Sequence, residues 1–344
     1  MVDRIIYKQA TEKDYTAILL LYNDAYQSKR SVSNLEWLYD ENPMGKGTLF
    51  IALVDDEVIG MQGIVKYQCW KSQKTIDMYK SEDSLIHEDY RGKGVYKKLY
   101  QMVFDFIGET PIWGLTDKKT ILERTGLPSE KRFIVAASVK GFVSPSIFKN
   151  ENKRWAKTIL YNRLNFITKA GKNRLMDSTS FLTESISDFT DIEAFGRILS
   201  DQYPDAKVPI LSKEVFKWRL IDNPKVDKWI VYATRNSDTE IKALTLVTIN
   251  GRKCRWLSSY FHKDISNQDR SYHIQEVQNQ LFNLGIVIIE QWLFDTNSTS
   301  TINSELMLKN GFRQVKKGLW IIKNQPKENA TVHEILFSAQ LGLD

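Results

Sequence analysis

A short basic turn, Arg91-Gly92-Lys93-Gly94, carries the clearest chemical signal in this sequence. Its two glycines let the backbone turn sharply and let a ligand approach the main chain closely. The residues that follow, Val95 to Ile107, place apolar side chains at helical spacing, so the turn should open into an amphipathic helix. N–H groups at the start of a helix carry partial positive charge and attract anions. Together with the two cationic side chains they predict a pyrophosphate-binding site.

The stretch around this turn resembles the coenzyme A loop of the GCN5-related N-acetyltransferase (GNAT) superfamily. The family pattern is Arg or Gln, two residues, Gly, one residue, then Gly or Ala. Arg91 and Gly94 match it, whereas Tyr96 replaces the final small residue. The resemblance implies acetyl-CoA or another acyl-CoA as co-substrate. It places the cofactor-binding residues at Leu85, Ile86, His87, Arg91, Gly92, Lys93, Gly94, Val95 and Tyr96.

The same resemblance concerns two positions beyond the turn. Asp117 stands where relatives often have an Asn that meets the pantetheine arm, although it could equally be a helix N-cap. The family's usual acid is a Tyr four residues before the helix-ending glycine, and that position is Leu122 here. The thiolate would therefore leave without a side-chain acid, or Tyr96 or another group would protonate it.

Acyl transfer from a thioester to an amine also needs a neutral amine, so we looked for a base near the end of the strand before the turn. Glu82, Asp83 and His87 are the candidates. Simple alternation would put Asp83, Leu85 and His87 on one face, and Glu82 on the other. His87 titrates near neutrality, which suits a general base, but a water relay or no single base remains an alternative.

A second segment is a candidate for binding the acceptor. Trp37, Tyr39, Glu41 and Asn42 lie in the helix-to-strand region that shapes the acceptor side of GNAT folds. A similar segment with Trp218 occurs in the second half of the chain. The alternative is that both tryptophans are core anchors, and repetition favours that interpretation because both halves would need the same anchor.

The second half of the chain repeats the first. Residues 35–43 are echoed by 216–224, each with Trp followed by Asn-Pro, and 123–127 are echoed by 308–312, each with a helix-ending glycine. The sequence therefore predicts an α/β (α+β) chain of two tandem GNAT-like domains, each a mixed, mostly antiparallel sheet flanked by helices. In the second copy residues 262–270 contain no glycine, so only the first copy should hold the acyl donor.

From this pattern we expect residues 1–140 to bind acyl-CoA, 141–178 to be a basic helical linker, and 179–344 to be a degenerate copy that binds the acceptor or supports the structure. In the first copy, periodicity and turn signals predict the following elements: strands at 4–9, 48–54, 58–67, 74–86, 111–115 and 133–139, and helices at about 11–26, 32–39 and 95–107, with a short one ending at Gly126.

The linker is strongly basic and carries Trp155, Ile159 and Leu160 among its charges. A helix at a membrane surface or on nucleic acid is one interpretation. The other is a helix that packs one apolar side on a domain and leaves its basic side in water.

The composition limits the remaining possibilities. The chain has 344 residues, a net charge of +6 and two distant cysteines, without a CxxC pair or a histidine cluster. No metal site, disulfide scaffold, signal peptide or membrane-inserted segment is expected, and a cytoplasmic location is the default prediction.

The resemblance implies an N-acyltransferase that moves an acetyl or short acyl group from acyl-CoA to the amine of a nucleotide-linked amino sugar, a dTDP- or UDP-sugar, with no nucleic acid as partner. Two alternatives belong to other classes. One is a transferase fed by aminoacyl-tRNA, of the type that builds peptidoglycan cross-bridges. The other is a non-catalytic protein that binds acyl-CoA.

Overall fold

The fold was analysed in a computed structural model of the chain. It describes residues 4–72, 74–116, 131–140, 143–148, 154–169, 181–204, 208–224, 226–294 and 304–323. The predicted positions Asp117, Leu122 and Gly126 lie outside the described residues.

Both halves of the chain contain strands and helices, and in each half three consecutive strands precede a long helix. The strands are β1 Ile6–Gln9, β2 Thr48–Val54, β3 Glu57–Lys71, β4 Lys74–Ile86, β5 Ile112–Thr116, β6 Lys131–Val139, β7 Leu182–Ile186, β8 Val208–Pro209, β9 Lys228–Arg235, β10 Ile241–Asn250, β11 Lys253–Phe261, β12 Ile288–Phe294 and β13 Arg313–Lys323. The α-helices are α1 Tyr15–Tyr26, α2 Val32–Leu35, α3 Val95–Ile107, α4 Arg154–Lys169, α5 Phe189–Gln202, α6 Lys213–Phe216, α7 Asn267–Asn283 and α8 Ser304–Lys309.

The predicted element order of the first half is confirmed over the described residues, with one local difference. The predicted helix at 32–39 is α2 followed by a π-helical turn, Glu36–Asp40. The equivalent segment of the second half does the same, because α6 leads into the π-helical turn Lys217–Ile221. The predicted capping signal at Thr11 is present, since Asp14 accepts a hydrogen bond from the Thr11 N–H at 2.8 Å.

All thirteen described strands join one sheet rather than two separate ones. The order is β1-β2-β3-β4-β5-β13-β6-β12-β11-β10-β9-β7, and β8 pairs with β3 away from this path. The two parallel contacts, β4 with β5 and β11 with β12, occur at matching positions of the two halves. The predicted α/β class, with two repeats and mostly antiparallel pairing, is confirmed.

The halves exchange their last strands at the centre of the sheet. β6 belongs to the first half in sequence, yet it pairs with β12 and β13. β13 closes the second half in sequence, yet it pairs with β5 and β6. Each half is thus completed by a strand from the other, which the division of the sequence at residue 140 does not indicate.

A pair of tryptophans holds the halves together away from the sheet centre. The Trp37 Nε1–H donates to the main-chain oxygen of Trp218, and the Trp218 Nε1–H donates to that of Trp37, both at 2.7 Å. The rings stack with centroids 5.3 Å apart. Both side chains are buried, so the repeated Trp positions form a pseudo-symmetric interface.

Apolar cores lie on both sides of this sheet. α3 covers one face of the first half with Val95, Leu99 and Val103, whereas α1 and α2 cover the other. Among the described residues, no helix is both long and apolar enough to cross a bilayer.

Candidate functional site

The predicted anion-binding turn connects β4 to α3 on the protein surface. Gly92 and Gly94 have φ of +82° and +81°, in the left-handed region that favours glycine. Open space lies where a Cβ would be added at either position. The first bond of α3 runs from the Lys98 N–H to the Gly94 oxygen, so the N–H groups that precede Lys98 in the helix have no intrahelical acceptor. The geometry is that of an accessible, positively polarised helix start.

The side chain of Arg91 folds back toward the strand. Its Nε–H donates to the main-chain oxygen of Ile86 at 3.2 Å. Lys93 lies over the ring of Tyr90, with Nζ 4.7 Å from the ring centroid. Both cations therefore stay beside the turn, where their charge adds to that of the helix N-terminus.

β4 and β5 separate directly before this turn. They pair only at Tyr79 with Ile112 and at Lys80 with Trp113, although β4 continues to Ile86. Over the described residues, the β4 main chain beyond Lys80 has β3 as its one strand neighbour. We call this separation of β4 from β5 the splay; among the described residues, it leaves the β4 main chain beyond Lys80 without a partner on the β5 side.

A β-bulge in β4 changes the directions of the candidate acidic residues. Met61 pairs with Leu85 and Gly63 pairs with Glu82, so β4 has one more residue than β3 in this interval. Asp83, in the bulge, has a φ of +47°, a left-handed backbone conformation that is strained for a residue other than glycine. Glu82 and Asp83 consequently point to the same side of the sheet, as their contacts below show. The alternation expected from sequence, with Glu82 and Asp83 on opposite faces, is wrong for this reason.

Asp83 belongs to a buried charge cluster. One carboxylate oxygen lies 2.7 Å from a guanidinium nitrogen of Arg30, and the other accepts a hydrogen bond from the Tyr39 hydroxyl at 2.7 Å. Burial opposes the Arg30 charge, but the neighbouring Asp83 raises the pKa of Arg30 above its ordinary value. Burial and the Asp83 charge both raise the pKa of Tyr39. Asp83 therefore has a cation and a hydroxyl donor in place.

Glu82 is paired in the same way with a different cation. Its carboxylate contacts the ammonium of Lys80, and both side chains are nearly buried. The Lys80 ammonium also lies 5.6 Å from the ring centroid of Trp113 on β5. Two ion pairs thus line one side of β4 at the splay. Sequence analysis missed both cations, since each lies in an ordinary polar context along the chain.

His87 occupies a different position from the two acids. It directly follows β4, and its main-chain N–H donates to the main-chain oxygen of Ile59 at 2.8 Å. Its Nδ1 faces the short helical turn 88–90 and accepts from the Asp89 N–H at 3.4 Å. The imidazole is 40 % exposed. The structure therefore associates His87 with the turn and not with the paired acids.

The opposite side of the splay holds a polar network that connects α3 to β4. The Tyr100 hydroxyl and the Ser81 hydroxyl are 2.7 Å apart, and Gln62 donates to Ser81 at 3.0 Å and accepts from Ser84. Tyr96 hydrogen-bonds both Ser84 and Tyr100, and burial is the main reason that its pKa is raised. Tyr96 thus points inward to β4. The turn itself keeps its open backbone.

The predicted acceptor residues are divided by the structure. Trp37 is the buried interface anchor described above, and Asn42 donates to the Lys66 main-chain oxygen at 2.8 Å from a buried site. These two are structural, so the assignment of Trp37 and Asn42 to direct acceptor contact is corrected. Tyr39 reaches the site through its hydroxyl on Asp83. Glu41 is exposed.

Two glycines, Gly47 and Gly63, leave space for the side chain of Tyr39. A side chain at Gly63 on β3 would overlap the Tyr39 hydroxyl, and one at Gly47 would lie 2.7 Å from the Tyr39 ring. The tyrosine is therefore held against the bulge by two close backbone approaches. A glycine within a predicted strand was the available signal for such an approach.

The connection between strand and helix differs in the second half. Phe261 and α7 are joined by five residues, 262–266, whereas Ile86 and α3 are joined by eight, 87–94. Ser266 caps α7 by accepting from the Asp269 N–H at 3.1 Å, and Asp269 places a negative charge in the first turn. β11 continues past its last pair with β12, from Leu257 to Phe261, much as β4 continues past Lys80. The two halves therefore differ in the turn, and only the first turn has the glycines and the uncapped helix start that suit an anion.

No protein-family model matches this chain, and a search of curated proteins finds no match. Solved structures do match it. A GCN5-related N-acetyltransferase from Sphaerobacter thermophilus has a TM-score of 0.58 at 12% identity, covering 95% of this chain and 98% of that one. A GCN5-related N-acetyltransferase from Anabaena variabilis has a TM-score of 0.58 at 13% identity, covering 93% and 72%.

A third match is the N-myristoyltransferase of Saccharomyces cerevisiae, solved with bound myristoyl-CoA. Its TM-score is 0.60 at 10% identity, covering 98% of this chain and 89% of that one. The matches extend over both halves, so the tandem GNAT-like fold expected from the sequence is confirmed. At these identities the likeness concerns the fold.

Proposed function

We propose that the protein is an N-acyltransferase that takes its acyl group from an acyl-CoA bound to the first half. The observation that carries this proposal is the exposed turn with two left-handed glycines, which starts α3 beside the splay of β4 and β5. The similarity to N-acetyltransferases and to an N-myristoyltransferase with bound myristoyl-CoA supports it.

In this proposal the pyrophosphate sits at the N–H groups of the turn and the first turn of α3, with Arg91 and Lys93 beside it. The pantetheine arm lies along the β4 main chain that β5 leaves unpaired. A β4 N–H near Leu85 then donates to the thioester oxygen as negative charge develops there. Placing the thioester and the amine side by side supplies much of the rate.

The paired acids set the chemistry on the acceptor side. Glu82 and Asp83 each contact a cation of the protein, so both carboxylates are engaged in ion pairs at the splay. We assign them the role of attracting and orienting the acceptor amine. The amine would lose its proton to water, directly or through one of these oxygens.

The predicted acceptor is a nucleotide-linked amino sugar. Its pyrophosphate and base would need a cationic and an aromatic surface besides Arg91, Lys93 and Tyr90, which this proposal places at the acyl donor. Lys13, Tyr15 and Lys46 line a cavity of the first half beside Tyr39 that offers both kinds of side chain. A nucleotide-linked amino sugar as acceptor and an acetyl or short acyl group as the transferred group are both predictions.

The test is a measurement of free CoA release with acetyl-, butyryl- and myristoyl-CoA against dTDP- and UDP-linked amino sugars, free amino sugars, polyamines and peptide N-termini. Activity with at least one amine is expected, and it should be highest for a nucleotide-linked sugar. Glu82→Gln should raise KM for the amine more than it lowers kcat. Tight CoA binding by calorimetry with no turnover of any amine would instead support a non-catalytic acyl-CoA-binding protein, which the pairing of both acids also favours.

A further inference from the structure

Helix α4 of the linker packs on the protein with only one of its sides. Thr158, Tyr161 and Leu164 are buried, and the Tyr161 hydroxyl donates to Glu290 on β12. The Tyr161 ring also packs against Phe148, with centroids 5.5 Å apart. These contacts fix which side of the helix faces away from the protein.

The outward side of α4 is apolar. Trp155 is 64% exposed, Ile159 is 58% exposed and Leu160 is 40% exposed. Trp155 and Ile159 are one helical turn apart and so lie on the same side. Water-facing helix surfaces normally carry polar residues, and three large apolar side chains on one short helix indicate a surface that contacts something apolar.

The same helix carries charge of one sign. Residues 154–169 contain Arg154, Lys157, Arg163 and Lys169 and no acidic residue. Arg154 and Arg163 are exposed, and Arg163 lies on the outward side between Ile159 and the end of the helix. The surface is therefore an apolar strip with cations on it and beside it.

We propose that the outward face of α4 lies on a lipid bilayer that contains anionic lipid. Trp is the side chain that best occupies the boundary between headgroups and acyl chains, and each cation near an anionic surface strengthens the attachment. A second copy of this chain fits the face poorly, because paired α4 helices would bring the exposed Arg154 and Arg163 of one copy toward those of the other. The helix would lie in the plane of the interface without crossing the membrane.

The experiment is flotation of the full chain with vesicles of phosphatidylcholine, with or without phosphatidylserine. The wild-type chain should float with the anionic vesicles and much less with the neutral ones, and added salt should weaken the attachment. Trp155→Ala/Ile159→Ala should reduce binding by roughly tenfold or more. Arg163→Glu should reduce it at least about fivefold. Leu20→Ala is the matched control, because Leu20 on α1 is 71% exposed, and it should float like the wild type.

A second measurement locates the contact. Both native cysteines are buried, so Ile159→Cys gives the chain one accessible thiol for an environment-sensitive fluorophore. Its emission should shift to the blue on anionic vesicles, whereas the label on Leu20→Cys should not shift. Three results would overturn the proposal: a wild-type chain that never floats, a double variant that floats unchanged, or a concentration-dependent dimer in solution that the double variant abolishes.

Discussion

Each half of this protein contains a strand, a turn and a helix in succession: β4 and α3 in the first half, β11 and α7 in the second. The two turns differ in length and in the residues that form them. In both halves, a histidine follows the last residue of the strand, and its main-chain N–H donates to a main-chain oxygen of the neighbouring strand. His87 donates to Ile59, and His262 donates to Lys242. The first unit then makes a long glycine turn, whereas the second closes three residues earlier on the Ser266 cap. The difference shows that the strand and helix of this unit keep their arrangement with either turn.

The interiors behind these turns differ as well. In the first half, charged and hydroxyl groups reach both sides of the splayed strand. In the second half His273 fills the centre: its Nδ1 and Nε2 lie 2.6 Å from the hydroxyls of Thr234 and Thr245. A fully buried imidazole bridging two strands stabilises this half. The following experiments test these differences between the turns and the buried groups of the two halves.

The largest expected effect is from separating the halves. A fragment of residues 1–140 lacks β12 and β13, which are both partners of β6, and β13 also pairs with β5. It should be insoluble or unfolded, whereas co-expression with residues 141–344 should restore a soluble complex. Size-exclusion chromatography and thermal melting measure this. A soluble 1–140 fragment with a cooperative melt would contradict the strand exchange.

Gly94→Asp should have the next largest effect, on CoA binding. A carboxylate at the start of α3 would repel the pyrophosphate, and like charges in contact cost several kcal/mol, so affinity should fall on the order of 100-fold or more. Gly285→Asp is the matched control, with φ of +85° and open space around it. It should keep wild-type affinity in calorimetry. A calorimetric stoichiometry of two CoA molecules per chain would contradict the assignment of CoA binding to the first half alone.

Asp83→Asn should destabilise the first half by about 3 kcal/mol, because it leaves the buried Arg30 without its counter-charge. Arg30→Met/Asp83→Asn should recover part of that loss, since the unpaired charge is gone. Urea unfolding gives both values. In the second half, Ser258 is four residues before His262, as Asp83 is before His87, and Ser258→Ala should cost much less. An equal cost for the two single variants would show that the charge pair is not what distinguishes the halves.

Trp37→Phe and Trp218→Phe should have smaller effects that are equal to each other. Each removes one of two reciprocal hydrogen bonds between buried groups, at a cost of roughly 1–3 kcal/mol. The double variant should differ from the sum, because the rings are in contact. A free energy of unfolding unchanged by one of the single variants would mean that the interface is not symmetric in energy.

The effect that is smallest near neutral pH is a pH dependence from the second half. Burial lowers the pKa of His273 to about 3, whereas a histidine in the unfolded chain titrates near 6.5. The unfolded chain therefore binds the proton first, and stability should fall below pH 6.5 by about 1.4 kcal/mol per pH unit, down to the folded pKa. His273→Gln should flatten this slope without changing the contribution of the carboxylates. Parallel slopes for the two proteins in urea titrations at pH 5 and 7 would refute the assignment.

Local features of the molecule were determined by the sequence. The glycine turn, the amphipathic α3, the Thr11 cap and the repeated Trp-containing segments depend on residues that are close in the chain, so their types and spacing suffice to predict them. The absence of glycine at 262–270 likewise distinguishes the second turn from the first. These signals predicted the fold class and the position of the candidate donor site.

Only the tertiary structure decided how the candidate site is built. The bulge at Asp83 arises from pairing with β3, and it turns Glu82 and Asp83 to one side, where Arg30 and Lys80 meet them. The exchange of β6 and β13 and the contact of Trp37 with Trp218 join residues more than 150 positions apart. Such contacts depend on strand register and on burial across the whole sheet, and no periodicity within a short stretch of sequence records them.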